Sequence, residues 1–299
     1  MRRWLLAAVL LVTACGRSSS TPATPAGPTP VPPAAAFSGY WTGTFTYQGC
    51  LGSHCLFVAE RTDPFSLRLR QSGTHVRGLF ESRGSNIEIS GEIHPDGSLQ
   101  LIGTEMTGGS RGAMAAASFN APDLRLDSVT GLTGTMRFEQ QFFITTDPRD
   151  RMVTVADGRI VSATHQDLDV YLSDLSGKWK GRYFVRGCAD ELSRPLCGLF
   201  RQDEVELLEL SLTVGGGSAV GELVPVATRI PVTGSSRGRS LDLQGTLELA
   251  AGRTIERITG FAGTVDEFGR LKGQFSYQRL ANGGSANAEV ELLQVVKVQ

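Results

Sequence analysis

Ser38-Gly39-Tyr40-Trp41-Thr42-Gly43 and Ser176-Gly177-Lys178-Trp179-Lys180-Gly181 share Ser, Gly, Trp and Gly at the same spacing, and the chain after each stretch continues in step. Gly49-Cys50 matches Gly187-Cys188, and Leu67 and Leu69 match Leu210 and Leu212. Gly73 and Gly78 meet Gly216 and Gly221; Ile87, Ile89 and Gly91 meet Ile230, Val232 and Gly234. Further on, Leu99, Leu101, Gly103 and Thr104 correspond to Leu241, Leu243, Gly245 and Thr246, Arg111 and Phe119 to Arg253 and Phe261, and Leu132 and Gly134 to Leu271 and Gly273. A collinear series of this length is a duplication. The repeated positions are Gly, Trp, Cys and aliphatics, the residues a scaffold needs, and few reactive polar groups recur.

Within each half the period is two. Leu67 and Leu69 alternate with Arg68 and Arg70, which puts the leucines on a buried face and the arginines on a solvated one. Trp41, Phe45 and Tyr47 share one face and Thr42, Thr44 and Thr46 the other. Turn signals follow every dozen or so residues: Ser72-Gly73, Arg83-Gly84-Ser85, Asp96-Gly97, Gly108-Gly109, Pro148, Asp157-Gly158, then Gly215-Gly216-Gly217, Gly269 and Asn282-Gly283-Gly284. The fold class is all-β, with about eight antiparallel strands per half. Eight sequential strands remove their exposed edges by closing, so two tandem up-and-down β-barrels are expected, with β-sandwiches as the alternative.

The Gly-x-Trp opening each half resembles the start of lipocalins and the wider calycin group. The other marks of that group, a terminal helix and a later Arg packed on the Trp, have no assignable counterpart in the sequence.

The first residues carry an address. Arg2 and Arg3 precede a short apolar run, Trp4 to Val12, and Thr13-Ala14-Cys15 follows. This is the layout of an export signal, too short to span a bilayer as a helix, and it resembles a bacterial lipoprotein signal ending in its lipobox cysteine. The resemblance implies a signal peptide over 1–14 and a Cys15 carrying diacylglycerol and a further acyl chain such as palmitate, enough chains for stable anchorage. Gly16 after the cysteine implies the outer membrane in a Gram-negative cell envelope. Residues 15–36 are rich in Ser, Thr, Pro and Ala and read as a disordered tether. The repeats are then expected over 37–172 and 173–299.

Cys50 and Cys55, and Cys188 and Cys197, sit at corresponding places in the two halves and read as disulfides in an oxidising compartment. A zinc site built from all four is the rival. The histidines His54, His75, His94 and His165 show no ligand-like spacing and read as exposed loop residues. Asp203-Glu204, Glu206 and Glu209 form the densest acidic group and read as a charged strand edge. No nucleophile elbow, His-Glu-x-x-His or phosphate loop occurs, so no catalytic residue, metal or cofactor is assigned. A net charge of −1 argues against nucleic acid as a partner.

The interior is the candidate binding region. Trp41, Phe45, Tyr47, Trp179 and Tyr183 should point inward, and eight-stranded barrels either fill with side chains or hold one small ligand. An inward Ala113, Ala115 and Ala117 would leave room in the first barrel, where the second has Ile255, Arg257 and Thr259. The expectation is a non-enzymatic envelope lipoprotein binding a small apolar molecule or lipid in a barrel. The alternative is an interaction or structural protein presenting its loops to an envelope protein or polysaccharide.

Overall fold

The computed structural model describes residues 36–51, 61–82, 85–108, 114–127, 131–143, 151–190, 197, 205–225, 228–249, 253–281 and 283–298. The first eight strands are β1 (Gly39–Leu51), β2 (Thr62–Ser72), β3 (His75–Ser82), β4 (Ser85–Ile93), β5 (Leu99–Gly108), β6 (Met114–Leu126), β7 (Leu132–Phe143) and β8 (Arg151–Gln166). A short helix α1 (Leu168–Ser173) follows. The second eight are β9 (Gly177–Asp190), β10 (Val205–Gly215), β11 (Ser218–Val224), β12 (Ile230–Arg237), β13 (Ser240–Leu249), β14 (Thr254–Val265), β15 (Arg270–Ala281) and β16 (Gly284–Val298). Each set closes into a barrel in which every strand pairs with its sequence neighbours and the last pairs with the first. Two tandem eight-stranded antiparallel barrels are what the alternating pattern predicts.

The duplication extends to the pairing register. Trp41 lies opposite Leu67 and Trp179 opposite Leu210, Gly78 opposite Leu69 and Gly221 opposite Leu212. Gly91 faces Leu101 as Gly234 faces Leu243. The shared glycines sit where coiled strands approach closely: a Cβ on Gly91 would lie 1.6 Å from the Gln100 carbonyl oxygen, and one on Gly234 1.8 Å from that of Asp242. One part of the sequence alignment shifts. Phe119 pairs with Gly103, whereas Ile258 pairs with Gly245, because β14 carries a bulge between Thr259 and Ala262. The register counterpart of Ala117 is therefore Glu256 (opposite Leu247) and not a residue of the Arg257 face.

Asp157-Gly158, expected as a turn, instead lies inside β8. The physical reason is packing. A Cβ at Gly158 would meet the Phe45 ring at 3.0 Å, so the glycine makes room for an inward aromatic. Asp96-Gly97 is a true turn, with Gly97 at φ +81° and the Asp96 carboxylate accepting from the Ser98 amide and hydroxyl. Residues 1–35, with the expected export signal, Cys15 and most of the expected tether, lie outside the described residues, as do His54 and Cys55.

Candidate functional site

The five inward aromatics are core. Trp41 and Phe45 are fully buried, Tyr47, Trp179 and Tyr183 nearly so. In the first barrel Phe80 stacks on Phe119 with centroids 4.2 Å apart and lies 5.8 Å from Phe138, while Phe45 meets Tyr47 edge-on at 4.9 Å. Ala117 belongs to the same packed cluster; the side chains of Ala113 and Ala115 lie outside the described residues. The described inward residues of the second barrel form a buried cluster likewise, with Phe261 and Phe275 stacked at 5.8 Å. Tyr183 donates its hydroxyl to the Pro225 carbonyl, and a buried carboxylate, Glu256, interrupts this core. Glu256 is 1% exposed and accepts from Tyr277, with Arg279 Nε at 3.7 Å. Sequence reasoning missed Glu256 because the β14 bulge reverses which face it occupies.

The two Trp residues close the barrel bases in the same way. Trp41 Nε1 donates to the Phe37 carbonyl at 3.0 Å and Trp179 Nε1 to that of Leu175 at 3.1 Å. Ser38 Oγ accepts the Gln71 amide at 2.8 Å and Ser176 Oγ the Val214 amide at 3.0 Å. On the last strand of each barrel a basic residue pairs with the Trp: His165 opposite Trp41, Lys297 opposite Trp179. His165 is thus no loop residue. Its ring lies 4.5 Å from Trp41 and its Nε2 is 3.0 Å from the Ser38 carbonyl oxygen. His75 is exposed beside Glu92.

Cys188 and Cys197 form a disulfide with Cα atoms 5.8 Å apart, across a separation of nine residues. The Cys50 side chain, with Cys55, lies outside the described residues, as do the side chains of Asp203, Glu204 and Glu206. Glu209 pairs with Lys180 on the outer wall. Among the described residues no three His, Cys, Asp or Glu side chains converge as metal ligands would.

The largest departure from the sequence reading is Arg68. It points away from the first barrel's interior yet is fully buried, because the second barrel covers it. Arg68 Nη2 donates to Glu81 Oε2 at 2.8 Å, to the Lys297 carbonyl at 3.0 Å and to the Tyr171 hydroxyl at 3.4 Å. The rings of Tyr40 and Tyr171, stacked at 3.7 Å, lie 5.7 and 5.6 Å from its guanidinium carbon. Burial pushes the Glu81 carboxyl above its ordinary range, and the Arg68 charge offsets only part of that. Around this centre Asp169 accepts from Arg70 at 2.7 Å and Arg239 at 2.5 Å. Leu168 and Leu172 of α1 are buried, and both belong to the second barrel's core cluster.

At the edge of this junction a depression of about 540 Å³ opens on the outer wall of the first barrel. Its surface is a cross-strand grid: Ser90 faces Ile102, which faces Asn120, and Thr104 faces Ser118 one row away. Phe268, from the β14–β15 turn of the second barrel, forms part of its lining. That turn is held by Asp266, whose Oδ1 accepts the amides of Phe268 and Arg270 at 2.9 Å each, and by an Arg270–Glu88 ion pair across the junction. A second depression, about 440 Å³, lies on the corresponding strands of the second barrel, and every described residue lining it belongs to that barrel.

No protein-family model matches this chain, and no curated protein matches it.

Proposed function

We propose that the chain is a lipid-anchored envelope protein that works through its outer walls, an interaction or structural module for a protein or polysaccharide partner. The observation that carries this reading is the state of the interiors: the residues available to hold an apolar ligand are engaged in close aromatic packing. This packing favours recognition on the outer surface over an apolar ligand held inside. The outer walls bear polar side chains such as Glu88, Ser90, Thr104, Lys180, Glu222 and Arg229. An apolar inside with a polar outside is the reverse of a membrane-spanning barrel.

The anchor is the second part of the proposal. Cleavage before Cys15 and its acylation would tether barrels spanning 37–172 and 173–299 to the membrane through 15–36, with a calycin-like ancestry for each barrel. The twin Gly-x-Trp and the basic residue opposite each Trp, His165 and Lys297, support that ancestry.

Metabolic palmitate labelling tests the anchor: the wild type should take label and Cys15→Ala should not, and equal labelling refutes it. Native against denatured mass of the chain, purified from an oxidising compartment, tests the filled interiors. Identical masses are expected; a small molecule released on denaturation would restore the carrier. A photo-crosslinking residue at Thr104 should form an adduct in intact cells; its absence there and at Ser90 counts against a partner on this wall.

A further inference from the structure

Resting on that outer-wall reading, we infer that the depression between Phe268 and the β4–β5–β6 wall is a binding site for a neutral carbohydrate chain. Its chemistry is specific in three respects. The wall offers short hydroxyl and amide side chains, Ser90, Thr104, Ser118 and Asn120, in two adjacent cross-strand rows. Strands spaced about 4.8 Å apart set these groups at regular intervals, which suits a ligand with a repeating array of hydroxyls. Between them stands Ile102, 53% exposed, with the half-buried Phe268 on the side of the second barrel. A pyranose ring has an apolar face of C–H groups and an equatorial rim of hydroxyls. It needs apolar contact and hydrogen-bonding side chains together, as found here.

The charges weigh against the competing chemistries. Among the described residues two charged side chains line the depression, Glu88 ion-paired with Arg270 across the junction and Arg77 with Glu267 3.6 Å away. Each of these charges lies beside an opposite one, which favours a neutral ligand over a phosphate or an amine. The corresponding depression of the second repeat separates what the fold makes from what has been added. Both barrels dip at this place, where glycines thin the wall, but among the described residues only the first receives an aromatic from its neighbour. The Asp266 hydrogen bonds and the ion pair hold Phe268 in place before any ligand arrives, so little ordering remains to oppose binding.

Isothermal titration of the full chain with neutral probes (maltohexaose, cellohexaose, mannohexaose and chitohexaose) tests this. At least one should bind, with little dependence on salt. Phe268→Ala should weaken it about tenfold and Asn120→Ala about three- to tenfold. Phe268→Tyr should retain binding, which separates loss of the ring from loss of the fold, and Gln244→Ala in the second depression should leave binding unchanged. Binding of none of these probes, equal loss in Gln244→Ala, or preference for an anionic glycan with steep salt dependence would each overturn the assignment. A protein adduct at Thr104 together with no saccharide binding would refute the carbohydrate and leave the outer-wall reading standing. The absence of both would remove both.

Discussion

Arg68 shows how one side chain joins two barrels. It is a cation with no exposure, and its Nη2 reaches a carboxylate, a hydroxyl and a backbone carbonyl from three different elements. Truncating one member of a buried pair leaves the other charge uncompensated, so Arg68→Ala should destabilise the protein by about 3–5 kcal/mol in urea unfolding. Replacing the pair together, Arg68→Met with Glu81→Leu, should cost far less; equal losses would mean that packing dominates and the pairing does not. The repeated glycines give a second residue-level test. Gly234→Ala drives a methyl into the Asp242 carbonyl and should cost about 3 kcal/mol, the upper end of the usual overpacking range. Gly97→Ala meets nothing within 4 Å and carries only the left-handed backbone penalty, about 1–2 kcal/mol. The glycine positions were legible because both repeats spell them. Arg68 was not, since a period of two states which side of a sheet a residue takes. Whether water or another domain lies on that side is not a local property of the strand.

At the scale of elements, the β14–β15 turn couples protonation to the position of Phe268. Burial alone would raise the Asp266 carboxyl, but the Arg270 amide and guanidinium outweigh it and hold the carboxyl below its ordinary value of 3.8. A depressed acid stabilises the folded state above its unfolded pKa, and that contribution is lost as pH falls through the lower folded value. The turn should therefore hold down to about pH 4 and loosen only below it, read from the amide resonances of Phe268 and Gly269. In Asp266→Asn those resonances should show loosening already at neutral pH; no change would remove Asp266 as the support of this turn. The Cys188–Cys197 link acts on the unfolded chain. Closing a loop of this length contributes about 2–3 kcal/mol, so Cys188→Ala with Cys197→Ala should lose that amount by chemical denaturation. Turns built on a left-handed glycine were readable in advance. Asp157-Gly158 was not, because its glycine is set by the distant Phe45 ring. The β14 bulge likewise hid Glu256, since one extra residue exchanges the two faces of a strand.

At the scale of the molecule, two similar barrels need not be two independent domains. The described contacts place Tyr40 of the first barrel in the core cluster of the second, bury α1 there, and join the walls through Arg68 and the Lys297 carbonyl, Asp169 with Arg70 and Arg239, and Arg270–Glu88. The described residues of both barrels accordingly belong to one compact unit. Were the barrels beads on a string, each would melt separately, and the Phe268 groove would change shape with every relative motion. A buried ion pair instead makes separation costly, because opening the junction withdraws the Lys297 carbonyl and Tyr171 from a charge in a low-dielectric site. Calorimetry should therefore record one transition whose van't Hoff and calorimetric enthalpies agree. The double variant Arg68→Ala, Asp169→Ala should split it into two. Two transitions in the wild type would mean that the junction is weaker than either barrel, and the groove would then form and dissolve with junction opening. A single transition that persists in the double variant would assign the coupling to the apolar contacts of Tyr40 and α1.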